Sequence, residues 1–365
     1  MKDLKDTRLE INDIDSKMRD LFVRRMELVK EVAEYKKELG LQIFDKERER
    51  QVVERNVEQV NNPELKPYYV EFINNTMKVS RDFQRNLIKG MKVSFSGVKG
   101  AYAYIASRKL FPNAELVERP NFKSAYDAVS NGEVDVAVLP IENSYAGDVG
   151  LVNDLMFTGN LYLTDIFDLE IVHNLIVKKG ANIKQIKKVV SHQQALSQCH
   201  DFIEDYAFET EEYPNTAMAA QALAEGNDTT VAVIASKEVA ELYEGLEIIK
   251  ENINDSRLNT TRFGVFSRCM AEPHKSKMGD HFILMFTVAN EAGALATTLN
   301  IIGSHGFNMR TLRSRPLKEL LWSYYFFAEL DGDVTTRDAK EMLQELSTVC
   351  DCLKVAGTYY TGEKK

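Results

Sequence analysis

The sequence predicts a multidomain chain with three architectures in series. These are an all-α N-terminal domain, a two-lobed α/β domain with a central cleft, and a C-terminal α+β module of βαββαβ order. Three observations carry this reading. Only two of the 19 glycines, Gly40 and Gly90, fall in residues 1–90 of the 365. From Met91, short apolar strands alternate with helical patterns. A polar stretch, MAEPHKSKMG, then sets off the last six elements. The expected boundaries are 1–90, 91–269, a linker at 270–279, and 280–365, in line with about 100–200 residues per domain.

Composition narrows the function classes. Apolar residues are 44% of the chain, enough for real cores. Charged residues are 28%, with 46 Lys and Arg against 55 Asp and Glu and a net charge of −9. No block of like charge stands out, so neither nucleic acid nor a membrane is an expected partner. No apolar run approaches the roughly 18–20 residues of a membrane span. The charged start MKDLKDTRLEINDID has no signal-peptide core, which leads to the expectation of a cytoplasmic protein. Cys199, Cys269, Cys350 and Cys352 form no disulfide framework, and no second Cys/His cluster completes a metal site around Cys350 and Cys352. No metal and no cofactor is expected.

In the helical segment, 19 basic residues balance 18 acidic ones. Thr7-x-x-Glu10 reads as a capping box, followed by apolar positions at helical spacing: Ile11, Ile14, Met18, Leu21, Phe22, Leu28, Val29, Val32 and Leu39. Gly40 is a stop, Asp45 an N-cap for a second helix, and Asn62-Pro63 the N-cap and first position of a third. A first helix of about 32 residues would be about 48 Å long, too long for two shorter partners to cover. An intertwined helical dimer solves that problem. Arg25 and Lys36 are eleven residues apart, so they share a face on the apolar stripe, where a cation needs a partner. A bound anion is one partner; snorkelling at a dimer seam or pairing with Glu is the other. Arg8 lies about 25 Å from Arg25 and reaches the same small ligand only from a second subunit.

Arg8, RRMELVKEVAEYKK, DKERER and VSRDFQ, in this order, resemble an all-helical chorismate mutase. The resemblance implies rearrangement of chorismate to prephenate without a covalent intermediate. It assigns Arg25, Arg48 and the other subunit's Arg8 to the two carboxylates. Lys36 and Gln84 would face the ether oxygen, Asp45 and Glu49 the hydroxyl, and Ser80 would line the pocket. Catalysis would be positioning and electrostatic stabilisation.

Four stretches stand out in the α/β segment: FSGVKGAYAY (95–104), LPIENSYAG (139–147), VVSHQQALSQC (189–199) and NTTRF (259–263). Each puts polar residues at a strand end or helix start, where α/β clefts bind ligands, although each alone also fits a capped turn. Together they resemble prephenate dehydratase over roughly Met91–Arg268. The resemblance implies that Thr261 assists departure of the substrate hydroxyl. Asn143, Gln198 and His192 would orient the substrate, with Glu142 nearby and Arg262 available for the pyruvyl carboxylate. Two positions depart from the family pattern: Ala103 stands where a small hydroxyl residue often follows the tyrosine, and SHQQ replaces SHPQ.

The last segment reads strand, helix 293–303, two strands, helix 336–347 and strand, a ferredoxin-like order. NEAGALATTL resembles the amino-acid-binding turn of an ACT domain, which makes Gly293, Ala294 and Leu295 candidate effector contacts. LRSRP resembles the second effector stretch, adding Ser314, Arg315 and Pro316, with Arg313 in place of the usual acid. Three modules in this order resemble a bifunctional chorismate mutase/prephenate dehydratase of phenylalanine biosynthesis. The implied partners are chorismate, prephenate, L-phenylalanine as effector, and a second copy of the chain. A dehydratase whose helical segment only dimerises, and a non-catalytic two-lobed sensor, are the competing readings.

Overall fold

A computed structural model describes residues 3–39, 41, 43–256, 258–271, 280–317 and 323–361. Gly40 and most of the expected linker lie outside these residues. The chain divides into two compact units, one holding the residues up to Met91 together with Asn113–Glu115, the other the rest from Lys92 onward.

The first unit consists of α1 (Leu4–Glu38), α2 (Lys46–Glu58) and α3 (Lys66–Lys89). With 35 residues, α1 is about 52 Å long. It begins at Asp3 and not at the Thr7 box. Thr7 lies inside the helix and its hydroxyl bonds back to Asp3 O at 3.1 Å, because nothing in Leu4–Asp6 opposes one more turn. Asp45 caps α2 as expected, accepting from the Arg48 N–H at 2.9 Å. Asn62 caps a 3-10 turn, Pro63–Leu65, so α3 starts one turn later than the Asn-Pro signal predicts.

Both α1 and α2 pack along α3. Among the described residues of this unit, only Ala33, Met77, Ser80 and Gln84 are buried, and two of those four are polar. Ile11, Ile14, Met18, Phe22, Leu28 and Val32 are exposed, and Leu21 is 70% exposed. The apolar stripe of α1 thus lies open along the helix.

The second unit begins with a lobe made of β1 (Lys92–Ser96), α4 (Tyr102–Leu110), β2 (Glu115–Arg119), α5 (Phe122–Ser130), β3 (Val136–Asn143), β4 (Gly147–Asp148), α6 (Gly150–Thr158) and β5 (Tyr162–Glu170). A second lobe follows with β6 (Asn174–Lys178), β7 (Lys188–Ser191), α7 (Gln193–Ser197), α8 (His200–Asp205), β8 (Glu209–Glu212), α9 (Thr216–Glu225), β9 (Val231–Ala235), α10 (Lys237–Leu242) and β10 (Leu246–Lys250). The chain then returns along β11 (Thr260–Ser267). The last six elements are β12 (Asp280–Thr287), α11 (Ala294–Ser304), β13 (Met309–Pro316), β14 (Tyr324–Asp331), α12 (Arg337–Leu346) and β15 (Cys352–Tyr360).

Alternating strands and helices predict parallel sheets, but both sheets are mixed. β11 comes back from the far lobe and inserts antiparallel between β3 and β5. In the second lobe β6 runs antiparallel to β9 and β10, while β7 is parallel to β8 and β9. The second-lobe order is β10-β6-β9-β7-β8.

The βαββαβ elements form strands in the order β13-β14-β12-β15, and this sheet continues into β5-β11-β3-β1-β2 of the first lobe. The junction is a single parallel register of Gly357 against Leu163. A Cβ on Gly357 would stand 2.1 Å from Leu163 O, so only glycine permits that approach. Leu139, Val152, Met156 and Leu163 share one core with Met285, Tyr325, Phe327 and Ala356. Lys354 Nζ donates to Met156 O at 2.6 Å and Gly159 O at 2.5 Å, satisfying carbonyls at the end of α6.

Candidate active site

In the helical unit, Arg25 on α1 donates to the buried Ser80 hydroxyl on α3, and burial pulls the Arg25 guanidinium below its ordinary value. Lys36 Nζ donates to Ile43 O at 2.6 Å, just before α2. Glu49 takes the Arg81 guanidinium, which also lies 5.4 Å from the Phe44 ring centre. Gln84 is buried one turn beyond Ser80, and its Oε1 has no hydrogen-bond partner among the described residues. Arg25 and Ser80 therefore meet where α1 packs on α3, with Gln84 one turn further along α3. Arg8 and Arg48 are exposed, and the Asp45 side chain is occupied as a cap. Arg81 was legible only as part of VSRDFQ; its position one residue after Ser80 is what holds Glu49 against α3.

In the second unit, a cavity of about 480 Å³ lies between the lobes. The stretches around residues 101–103, 140–149, 192–198 and 261–263 all contribute to its wall. Among the lining residues there is no Lys or Arg. Instead, the starts of α4, α6, α7 and α9 border it through Tyr102, Val149, His192 and Asn215. Helix N-termini favour anions without a side-chain cation. His192 is exposed and accepts the Gln194 N–H on Nδ1 at 3.2 Å; in the neutral ring its proton therefore sits on Nε2.

The polar groups of this cavity form one directed chain. Asn143 Oδ1 accepts the backbone N–H groups of Tyr145 (3.0 Å) and Ala146 (2.8 Å), which fixes its amide. Its Nδ2 must then donate, and it does so to Thr261 Oγ1 and to Asn259 Oδ1, both at 2.9 Å. Asn259 Nδ2 donates to Gln198 Oε1 at 2.9 Å. Thr261 thus receives a hydrogen bond on oxygen and keeps its own hydrogen for an occupant of the cavity. The Gln198 Nε2 is buried and has no partner among the described residues. Asn259, missed as a site residue, was visible as the first letter of NTTRF.

Glu142 and Arg262 do not line the cavity, a correction to their expected place beside the substrate. Side chains alternate along a strand, so Asn143 and Thr261 face the cavity while their neighbours face away. Arg262 is paired with Asp168 at 2.9 Å, and Glu142 with Arg313 at 2.6 Å. Ala103 lines the wall as an apolar patch.

The candidate effector residues lie on two elements. Gly293 precedes α11 with φ of +88°, leading into Ala294 and Leu295. On β13, Ser314 and Pro316 are exposed, while Arg315 turns to the other face and donates to Asp154 of α6 at 3.2 Å. Its guanidinium is thereby engaged by α6. The Arg315 guanidinium lies close over Gly150, where a Cβ would stand 2.2 Å from Nη2 unless the arginine shifted.

Comparison with known proteins matches one family to each unit. The chorismate mutase type II family matches residues 7–85, and the prephenate dehydratase family matches residues 93–271. The bifunctional chorismate mutase/prephenate dehydratase of Enterobacter agglomerans is 30% identical over 365 residues, covering 96% of this chain and 94% of that one. A solved prephenate dehydratase from Arthrobacter aurescens, in complex with L-Phe, superposes with a TM-score of 0.70 at 26% identity, covering 75% of this chain and 91% of that one. A structure described as GqqA, a quorum-quenching acylase, gives a TM-score of 0.68 at 28% identity, covering 74% and 98%. Near-complete coverage by a two-activity relative, with a matching family on each unit, leads to one conclusion: this chain belongs to the bifunctional chorismate mutase/prephenate dehydratase family.

Proposed function

We propose that the interlobe cavity converts prephenate to phenylpyruvate with Thr261 and Gln198 as substrate-facing donors. The helical unit would rearrange chorismate to prephenate around Arg25, Lys36 and Gln84. The observation that carries the first assignment is the directed chain from the Tyr145 and Ala146 N–H groups: it makes Thr261 Oγ1 the acceptor from Asn143 and leaves the Thr261 hydroxyl hydrogen and the Gln198 Nε2 as donors. In the reaction the bond to the ring carboxylate breaks, its electron pair enters the ring, and the C–O bond breaks with its pair on oxygen. Carbon dioxide leaves, and the hydroxide takes up a proton to become water. Negative charge grows on the departing oxygen, where the Thr261 hydroxyl would donate. Asn143 holds that hydroxyl, and His192 adds a further N–H. Helix N-termini would carry the substrate carboxylates, leaving Glu142 and Arg262 to brace the wall.

In the helical unit, the dianionic substrate would pair with Arg25 and Arg48, and with Arg8 of a partner subunit. Asp45, Glu49 and Ser80 complete the pocket. Lys36 and Gln84 would meet the ether oxygen as its bond breaks, with no cofactor. The open α1 stripe supports an intertwined homodimer or larger homo-oligomer. The βαββαβ module would act as an ACT regulatory domain, with Gly293, Ala294, Leu295, Ser314, Arg315 and Pro316 near a phenylalanine site. The L-Phe complex of the Arthrobacter relative supports feedback by that amino acid. No helix of the described residues is long and apolar enough to cross a membrane, consistent with a cytoplasmic enzyme.

A chorismate time course followed by ultraviolet absorbance, with and without phenylalanine, tests the whole reading. Chorismate loss followed by phenylpyruvate, slowed by phenylalanine, is expected. Chorismate left intact while added prephenate is consumed would reduce the helical unit to a dimerisation arm.

A further inference from the structure

The directed chain does not stop at Gln198. Gln198 Oε1 already accepts from Asn259, whose amide orientation follows from Asn143 and ultimately from two backbone N–H groups. The His173 Nε2 lies 2.9 Å from the same oxygen. An acceptor faces it, so Nε2 must carry a hydrogen. His173 is 2% exposed, and burial lowers its pKa, so the ring is neutral and Nδ1 is bare. The Tyr102 hydroxyl lies 3.0 Å from Nδ1 and 3.1 Å from Val172 O, and its one hydrogen is shared between these two acceptors. Burial pushes that phenol well above its ordinary value, so it keeps its proton. Both side chains line the cavity.

We propose that His173, backed by Tyr102, is a positioning residue of the dehydratase site: its Nε2–H tautomer locks the Gln198 amide so that Nε2 faces a carboxylate or carbonyl oxygen of the substrate. Without that hydrogen bond the amide has one fewer reason to keep its oxygen away from the cavity, and a flipped amide turns an acceptor on an anion. This deepens the assignment of the cavity to prephenate and rests on it.

Two experiments decide the matter. In the full chain, His173→Leu removes the donor and His173→Gln restores an amide N–H of similar reach. His173→Leu is expected to raise KM for prephenate roughly tenfold or more, with a smaller change in kcat, as for a lost hydrogen bond to a charged group. His173→Gln is expected to recover most of that loss. Unchanged kinetics in His173→Leu, or equal damage in both variants, would overturn the proposal. If the leucine variant fails to fold, nitrogen-15 NMR of the native imidazoles decides: a protonated Nε2 and bare Nδ1 at His173 are expected, and the opposite tautomer refutes the lock. A native chain that leaves prephenate untouched would instead remove the assignment of the cavity itself.

Discussion

Arg313 on β13 donates through Nη2 to the Glu142 carboxylate at 2.6 Å and through Nη1 to Asp148. Glu142 is the strand neighbour of Asn143, and Asp148 lines the cavity, where burial holds its carboxyl above the usual range against the pull of Arg313. One cation from the βαββαβ module therefore offsets two carboxylates at the rim of a site built for an anion. All three side chains are only about three-quarters buried, so solvent tempers the energy to about 1 kcal/mol. Arg313→Met is expected to raise KM for prephenate several-fold, more at low salt than at high, because two uncompensated carboxylates repel the substrate. Kinetics that are independent of salt and equal to native would show that this charge is not felt in the cavity. Loss of phenylalanine response in the same variant would identify the bridge as a route from module to site.

Thr261→Ala removes the hydroxyl that Asn143 orients. Prephenate turnover is expected to fall about 10²–10³-fold, as for loss of a preorganised donor, with chorismate consumption unchanged. Thr261→Ser, which keeps the oxygen, should retain far more. Prephenate must accumulate from chorismate in the alanine variant; phenylpyruvate formed at the native rate would rule out the role of Thr261.

Lys36→Ala and Leu21→Glu probe the helical unit in two ways. The first removes a cation held at the end of α1 and should stop chorismate consumption while prephenate is still converted. The second places a charge in the middle of the open apolar stripe. Sedimentation is expected to show a dimer or larger species for the native chain and a smaller one for Leu21→Glu. Chorismate turnover should fall at least about tenfold with it if Arg8 reaches the site from a partner subunit, as proposed.

Gly357→Ala tests the sheet junction. A methyl group 2.1 Å from Leu163 O cannot be accommodated without separating β15 from β5. Destabilisation above about 3 kcal/mol is expected, seen as a large drop in thermal midpoint or in soluble yield. A variant as stable as the native chain would mean that the two sheets are not joined there.

His173 also links stability to pH. An unfolded histidine takes up a proton near its ordinary value of 6.5, whereas burial lowers the folded value. Between the two the unfolded chain binds more protons, so stability present above about pH 6.5 is lost as pH falls toward the folded value. The thermal midpoint should drop between about pH 7.5 and about pH 5.5, and less so in His173→Gln. An equal drop in both proteins would exclude His173 as the source.

Much of this was legible in the residues themselves. The helical unit and the βαββαβ order follow from periodicity, caps and turn residues, which are local properties of the chain. The grouping of FSGVKGAYAY, PIEN, SHQQ and NTTRF was readable as motifs, because the polar residues of a cleft sit at strand ends and helix starts. Asp45 declared itself as a cap by its short acceptor side chain ahead of a helix-forming run. Thr7 did the same and misled, since nothing in the preceding turn stopped the helix from growing backward.

What only the tertiary structure decided depends on which distant segments become neighbours. β11 turned the predicted parallel sheet into a mixed one because it returns from the second lobe, a fact no local pattern contains. The same insertion put Thr261 beside Asn143, 118 residues away, and sent Arg262 and Glu142 to the opposite face. His173 looked like any strand-flanking histidine until the fold set it 2.9 Å from Gln198, and Arg313 like a reversed charge until it met two carboxylates. Sequence by itself determined the elements and the chemical inventory, since both are set within a few residues. The direction of each hydrogen bond, and the partner of each charge, was settled by long-range packing, since a buried donor or ion takes its state from whatever the fold places against it.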